Sequence, residues 1–392
     1  MTHQGRVVWD DTLTRYDFGP QHPMAPIRLD LTMRLAHDLG VLEQLDMAPV
    51  PEVDDSKLLL GHSQAYIDAV RRCGVVSQSA DLAHGLGTPD VPTFSDMHDA
   101  SSRIAAATVE AARGVWSHEV DHAFSPAGGL HHAMRDSASG FCVYNDLAIA
   151  INWLLLQGVE RVAYVDIDVH HGDGVETAFW DDPRVLTISQ HESPSSLFPG
   201  TGWPEDIGGP HAEGYAVNIA IPAETGDEPW LRALQSVVPH LLATFEPQVL
   251  VTQHGCDSHF RDPLANLNLS IDGQRTAYEW LHRWSHEFAN GQWVATGGGG
   301  YAIVVVVPRA WTLLMAELSG APLDPHTEVP EAWRSYAHQR TGLVAPLTMT
   351  DDRTPVVASW EAGYDPDDPV DRAILATRKA VFPHWGLDPL TQ

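Results

Sequence analysis

Cysteine is scarce in the chain: Cys73, Cys142 and Cys256 are the only three among 392 residues, odd in number and far apart. No disulfide framework is implied, and a reducing cytoplasm fits. Long apolar runs are missing as well. The longest near the C-terminus, "YAIVVVV", is far short of the roughly 20 residues that span a bilayer. The opening "MTHQGRVVWDDTL" has no apolar h-region, so no secretory signal is expected. The expectation is a soluble, cytoplasmic protein without a membrane partner. Basic charge is the next shortage: 23 Lys plus Arg stand against 52 Asp plus Glu, a net charge of −29 with His neutral. Such a field repels nucleic acid and draws in cationic ligands such as lysine-rich peptides or polyamines. On charge alone, solubility is the plainer explanation. The remaining composition, 44% hydrophobic and 19% charged, is that of a globular protein with a large core.

Short apolar runs alternate with longer amphipathic stretches. "GRVVW", "VDHAFSP", "RVAYVDIDV", "RVLTISQH", "YAVNIAI", "PQVLVTQHG" and "QWVATGGGG" read as strands, several apolar on both faces as in a covered parallel sheet. Between them, "PIRLDLTMRLAHDLGVL" with Pro26 in its first turn, "SDMHDASSRIAAATVEAARGV" capped by Ser95, "DLAIAINWLLLQG", "DEPWLRALQSVVPHLLATF" and "QRTAYEWLHRWSHEFANG" read as helices. The order is βαβ, which predicts an α/β fold with a parallel sheet between helical layers. No repeat or linker divides residues 1–392, so one domain is expected, its motif-bearing core over about 1–320. The Pro- and Asp-rich segment from about 323 to 392 is weakly periodic and expected to wrap the surface.

In such sheets, ligands bind outside the carboxyl ends of the strands. Four polar clusters follow predicted strands: "SPAGGLHHAMRDSASGF", "DIDVHHGDG", "QHGCDSHFRDP" and "TGGGGY". In an extended chain Asp166, Asp168 and His170 share one side, opposite Val165, Ile167 and Val169. Carboxylate and imidazole are both good zinc ligands. Asp257, at another strand end, is the best candidate for a third, and three protein ligands would leave a position open for water. A lone Asp-x-His is more often a hydrogen-bonded structural pair, so the case rests on the neighbouring chemistry. His131 and His132 each need an acceptor to fix the tautomer, and Asp166 and Asp173 are free to supply one each. Two His–Asp dyads would form general acid/base machinery, whereas adjacent histidines on a solvated loop are the plainer alternative. Tyr301 follows four glycines, which suggest a close approach of backbone or ligand; its phenol could donate to a developing oxyanion, or simply fill the core. Cys256 reads as a packing residue.

At these residues the sequence resembles the zinc-dependent histone deacetylase family, and especially its bacterial acetoin-utilisation-type branch. "GGLHHAMRDSASGFCVYND", "YVDIDVHHGDGVETAF", "FPGTG", "QHGCDSHFRDPLANLNLS" and "GGGGY" followed by "VVPRAW" stand in the family's order over roughly the first 320 residues. The resemblance implies the arginase/deacetylase α/β/α sandwich. It implies zinc on Asp168, His170 and Asp257, with Fe2+ able to take its place. His131 and His132 match the catalytic histidines, Asp166 and Asp173 their partners, and Tyr301 the carbonyl-polarising tyrosine. Phe141 and Phe198 match the walls of an acyl-lysine tunnel, Gly140 its floor, Leu264 and Asp90 its rim. Gly299 belongs to the substrate-binding glycine loop, and Arg28 resembles an arginine lining an acetate exit channel. Structural K+ is implied twice, near Asp166, Asp168, His170 and Ser189, and near Phe179, Asp182, Val185 and Tyr215.

The implied activity is metal-assisted hydrolysis of acetyl or other short acyl groups from lysine in proteins or peptides, acetylated acyl-CoA synthetases among them. No oligomeric state is implied. Gly172 stands where the related two-manganese arginases carry an extra carboxylate, which argues against a guanidine hydrolase. Leu264 stands where polyamine deacetylases of the superfamily can have an acid, which favours acyl-lysine over acetylpolyamine. A non-catalytic acyl-lysine or small-ligand binder is the reading from another class; an inactive relative would be expected to have lost at least one of the ligands, the histidines or Tyr301.

Overall fold

The computed structural model describes residues 5–75 and 79–391. Eight strands form one sheet: β1 (Gly5–Val8), β2 (Asp46–Ala48), β3 (His122–Ser125), β4 (Val162–Asp166), β5 (Val185–Glu192), β6 (Ala216–Ile221), β7 (Val249–Gln253) and β8 (Trp293–Thr296). Their order is β2-β1-β3-β8-β7-β4-β5-β6, and every neighbouring pair is parallel. All residues of β3 through β8 are buried, as their continuous apolar runs require of strands covered on both faces.

One helical layer contains Gln64–Val75, Met97–Trp116, Asp146–Leu156 and Asp173–Ala178. The other contains Ile27–Asp38, Val307–Leu318, Ile271–Phe288, Asp227–Phe245 and Pro369–Val381. The result is the three-layer α/β/α arrangement expected. All seven predicted strands and five predicted helices are present.

Four features were not read from the sequence or were read differently. The edge strand β2 has only three residues and none buried, too little pattern to signal a strand. The Met97–Trp116 helix is not capped by Ser95: Asp96 precedes it in the left-handed conformation, φ 59°, and no side chain caps its first turn. The apolar run after Tyr301 folds into a turn that leads into the Val307–Leu318 helix, with Val304, Val306 and Val307 in the core. The segment after residue 323 contains the helices Glu331–Thr341 and Pro369–Val381. Only the first is weakly periodic, burying Trp333 and Ala337, whereas the second buries Val370, Ile374, Leu375 and Val381 on one face; polar anchors add to both. Trp333 Nε1 donates to the Leu31 carbonyl at 2.9 Å, Thr377 Oγ1 donates to the Asn218 carbonyl at 2.6 Å, and Arg232 pairs with Asp371 at 2.7 Å.

Register sets the position of the site. Ser125 pairs with Thr296, Thr296 with Gln253, Gln253 with Asp166, and Asp166 with Ser189. These five residues form one row, the last residues of β3, β8, β7 and β4 and the middle of the longer β5. The inserted pair β7 and β8 separates β3 from β4, and the loops leaving these strands must splay apart there, opening the crevice expected of such sheets.

Candidate functional site

Four of those loops, after β3, β4, β7 and β8, build the site. After β4 the chain does not stay extended. Asp166 Oδ1 accepts from Asp168 N at 3.1 Å, and Asp168 Oδ1 accepts from His170 N at 3.0 Å. These two Asx-type turns curl the segment, so strict alternation ends at Asp166. This corrects the extended picture and also sorts the carboxylates: Asp166 turns toward His131, while Asp168 and His170 turn toward Asp257.

His131 Nδ1 donates to Asp166 Oδ2 and His132 Nδ1 to Asp173 Oδ1, both at 2.7 Å. The two Nε2 atoms are 3.0 Å apart, close enough to share one proton. His131 is pushed up to about 9: burial opposes its charge, but Asp166 and Asp168 outweigh burial. His132 is pushed down to about 4 by burial and by the charge of His131, against the pull of Asp173. One imidazolium and one neutral imidazole thus sit side by side, with opposite proton affinities set by their surroundings.

Asp168, His170 and Asp257 offer ligand atoms that all lie within 4.8 Å of one another, and all three residues are buried. His170 Nδ1 is 3.0 Å from Asp168 Oδ1 and 3.2 Å from Asp257 Oδ2. His170 is pushed up to about 10, because the two carboxylates outweigh burial. Asp257 is raised to about 6 by burial and by Asp168. Its Oδ2 is buried and, apart from the poorly aligned His170 Nδ1 at 3.2 Å, has no partner, an arrangement that a bound cation would complete. The set is two carboxylates and one imidazole with an orphaned oxygen at its centre, and it fits a zinc-class ion. Gly299 completes the cradle: its N–H donates to Asp168 Oδ2 at 2.8 Å, and a Cβ there would fall 1.9 Å from Asp257 Oδ2. Gly172 has no room for a further carboxylate, because a Cβ would meet Asp166 Oδ2 at 2.4 Å.

Tyr301 faces the same crevice. Its ring meets Phe141 edge-on at 5.7 Å, and burial together with Asp257 and Asp168 keeps its phenol protonated. Phe198, 46% exposed, meets the ring of His132 at 5.1 Å. Gly140 adopts φ +54°, and a Cβ there would meet His132 Cδ2 at 2.2 Å. Leu264 is exposed beyond them.

The other expected residues make the following contacts. One Asp90 oxygen accepts from Gly140 N at 2.8 Å, so Asp90 braces the loop beneath Phe141. Arg28 is buried and donates to the carbonyls of Gly298 and Gly300 at 2.8 and 3.1 Å, supporting the glycine loop from behind. Ser189 Oγ accepts from Gly172 N at 3.3 Å, near the Asp166 to His170 turns. Phe179, Asp182, Val185 and Tyr215 lie apart, at the start of β5. There the carbonyls of Phe179, Asp182 and Tyr215 already accept from Asp182 N, Val185 N and Thr187 N. Cys256 is buried, and burial raises its thiol.

Three contributors were missed in the sequence. Tyr164 donates to Asp166 Oδ2 at 2.5 Å. Gln253 Nε2 donates to Asp168 Oδ2 at 2.8 Å, and Asp262 Oδ2 accepts from Tyr301 N at 2.8 Å. Gln253 had a readable signal, since it is two and four residues before Gly255 and Asp257 in a strand that turns polar at its end.

A model of the histone deacetylase domain matches residues 22–318. The chain is 37% identical over 346 residues to acetoin utilization protein AcuC of Bacillus subtilis (strain 168), covering 88% of this chain and 89% of that protein. To the Staphylococcus xylosus protein of the same name it is 33% identical over 351 residues, covering 88% and 90%. The crystal structure of an HDAC homolog from Aquifex aeolicus superposes with a TM-score of 0.81 at 28% identity, covering 95% of this chain and all of that one.

Proposed function

The chain belongs to the histone deacetylase family, and from that premise we propose that it removes acetyl groups from the side-chain amine of lysine in proteins or peptides. The observation that carries this reading is the two His–Asp dyads beside the buried Asp168, His170 and Asp257 cluster. Asp168, His170 and Asp257 would hold the ion, zinc by donor type. When bound, such an ion polarises the acyl carbonyl and acidifies the attacking water.

The rest is the work of side chains. His132, held neutral, takes the water's proton at Nε2 while its Nδ1–H stays on Asp173. His131, held as imidazolium by Asp166, returns a proton from Nε2 to the departing lysine amine. A neutral base and a charged acid side by side suit this division of labour. The Tyr301 phenol donates a hydrogen bond to the oxyanion as the carbonyl becomes tetrahedral. Phe141 and Phe198 flank an apolar lysine stem, and Gly140 leaves space beside His132.

Acyl-lysine is favoured over acetylpolyamine because the rim offers Leu264 rather than a carboxylate. The nearest acid, Asp262, is turned inward onto the backbone N–H groups of Tyr301 and Leu264. Acetylated metabolic enzymes such as acyl-CoA synthetases fit as substrates in the cytoplasm. Among the described residues no helix is long and apolar enough to cross a membrane. The test is lysine release from an acetyl-lysine peptide by zinc-loaded protein, beside Tyr301→Phe and an acetylpolyamine. The expected result is peptide turnover that falls about 10²–10³-fold in the variant, with the polyamine slower. Faster polyamine turnover would replace the substrate; turnover of neither, with zinc bound, would favour the non-catalytic binder.

A further inference from the structure

The amino edge of the sheet contains a second histidine cluster that no part of the proposed chemistry uses. His122 is the first residue of β3 and pairs in register with Trp293, the first residue of β8. It therefore sits at the opposite end of these strands from the dyads. His282 and His286 lie one turn apart on the Ile271–Phe288 helix, in "LHRWSHEF". That i, i+4 spacing puts both imidazoles on one face and recurs among histidine metal ligands.

The three rings converge through one type of atom. His286 Nε2 is 3.2 Å from His122 Nε2 and 3.2 Å from His282 Nε2, and ligand atoms of all three residues lie within 4.8 Å of one another. Two nitrogens bound at 2.0–2.1 Å to a tetrahedral ion are about 3.3 Å apart, so the spacing is that of a shared ion.

The far side of each ring decides which nitrogen is bare. His122 Nδ1 donates to the Leu318 carbonyl at 2.9 Å, which leaves its Nε2 as a lone pair. The buried Glu317 carboxylate stands 3.5 Å from His282 Nδ1 and favours a proton there, so His282 Nε2 is also a lone pair. In the neutral cluster a single N–H, on His286, faces both lone pairs and can satisfy one of them well. A divalent ion would satisfy all three nitrogens at once. A carbonyl or carboxylate behind the ring is also the usual arrangement around metal-bound histidine.

We propose that His122, His282 and His286 form a second metal site, for a zinc-class divalent ion, at the amino edge of the sheet. Three neutral imidazoles select zinc, nickel, cobalt or copper over magnesium or calcium. His286 is exposed, so the fourth position faces solvent and takes water. The ion would tie β3 to the Ile271–Phe288 helix and, through Leu318 and Glu317, to the end of the Val307–Leu318 helix. The effect expected of it is on stability, through that tie.

The test counts zinc equivalents bound by the full-length, metal-stripped chain. Wild type is expected to bind one equivalent more than His282→Gln and His286→Gln, whose side chains lie toward solvent. Added zinc should raise the melting temperature of an Asp168→Asn/Asp257→Asn variant and not of that variant carrying His286→Gln. Should the Asp-to-Asn variant not fold, Cu2+ bound to wild type reports instead by its electron paramagnetic resonance. Nitrogen splitting from three imidazoles is expected, and splitting from one alone overturns the proposal. An unchanged zinc count in both His→Gln variants overturns it as well, leaving a hydrogen-bonded histidine cluster.

Discussion

The two edges of the sheet treat histidine in opposite ways. At the carboxyl edge His131, His132 and His170 each face a carboxylate within 3.0 Å, and two of the three hold a proton more tightly than free imidazole does. At the amino edge His122 faces two other histidines and a carbonyl, and it is held down to about 3. Burial is common to both. What differs is how closely a carboxylate is paired with the ring: each carboxyl-edge ring has one within 3.0 Å, whereas His122 has none and the buried Glu317 stands 3.5 Å from His282, so partners as well as depth decide whether a buried histidine holds a proton or offers a lone pair. The carboxyl edge buries Asp166, Asp168, Asp173 and Asp257 together, negative charge that a cation and a proton must balance, whereas the amino-edge cluster has Glu317 alone.

The hardest test of that division is His132→Ala. The dyad would lose its neutral base while His131, Asp166 and the Asp168, His170 and Asp257 cluster remain. The expected fall in kcat on an acetyl-lysine peptide is about 10²–10⁴-fold, with little change in melting temperature. The double variant His282→Gln/His286→Gln should show the reverse pattern: kcat retained and stability altered. A large loss of kcat in the amino-edge variant would break the comparison.

A smaller effect tests the rule for histidines without a carboxylate. His62 is buried, its Nε2 accepts from Asn145 N at 2.9 Å and its Nδ1 faces the Arg135 carbonyl at 3.3 Å. Burial lowers it to about 4. Above pH 6.5 neither folded nor unfolded chain protonates this ring. Between 6.5 and about 4 the unfolded chain takes the proton and the folded one does not, so stability falls as pH drops through that window. The loss by pH 4 is about 3 kcal/mol. Protonation would also remove the acceptor from Asn145, whose side chain caps the Asp146–Leu156 helix and donates to the carbonyls of His131 and Ala133. Denaturant unfolding from pH 7 to pH 4 should therefore show a shallower loss in His62→Gln than in wild type. An identical slope would mean that His62 is not held neutral.

Much of this was legible before any coordinates, because buried parallel strands write continuous apolar runs and a catalytic crevice writes polar residues at their ends. Asp168, His170, Asp257 and the dyads followed from that pattern. Asp90 and Arg28 were singled out for substrate and exit-channel roles, and what the sequence did not register is the support they give to loop backbone, at Gly140 and at Gly298 and Gly300. Sequence cannot register such contacts between distant segments. The amino-edge cluster was invisible for the same reason: "LHRWSHEF" reads as an ordinary amphipathic helix until β3 brings His122 against it. Asp262 sat inside a quoted motif, but its service to the Tyr301 backbone depends on a turn that spacing alone does not predict.

Gln253 offers the finest test, because it separates holding the ion from acting on the substrate. Its Nε2 donates to Asp168 Oδ2, and its Oε1 accepts from Gly255 N at 2.6 Å. One amide thus ties the β4 loop to the β7 loop beneath the Asp168 and Asp257 carboxylates. In Gln253→Ala, Asp168 Oδ2 keeps the Gly299 N–H but loses its side-chain donor, and Gly255 N loses its acceptor. Removing such a support costs about 10–100-fold in metal affinity or activity. If Gln253 acts through the ion, the half-saturating zinc concentration for activity should rise by that factor while kcat at saturating zinc stays within a few-fold. If kcat falls at saturating zinc and the half-saturation point stays fixed, Gln253 instead positions the reacting groups. The carboxyl edge would then be a single cooperative unit, in which the site for the ion and the site for proton transfer cannot be separated.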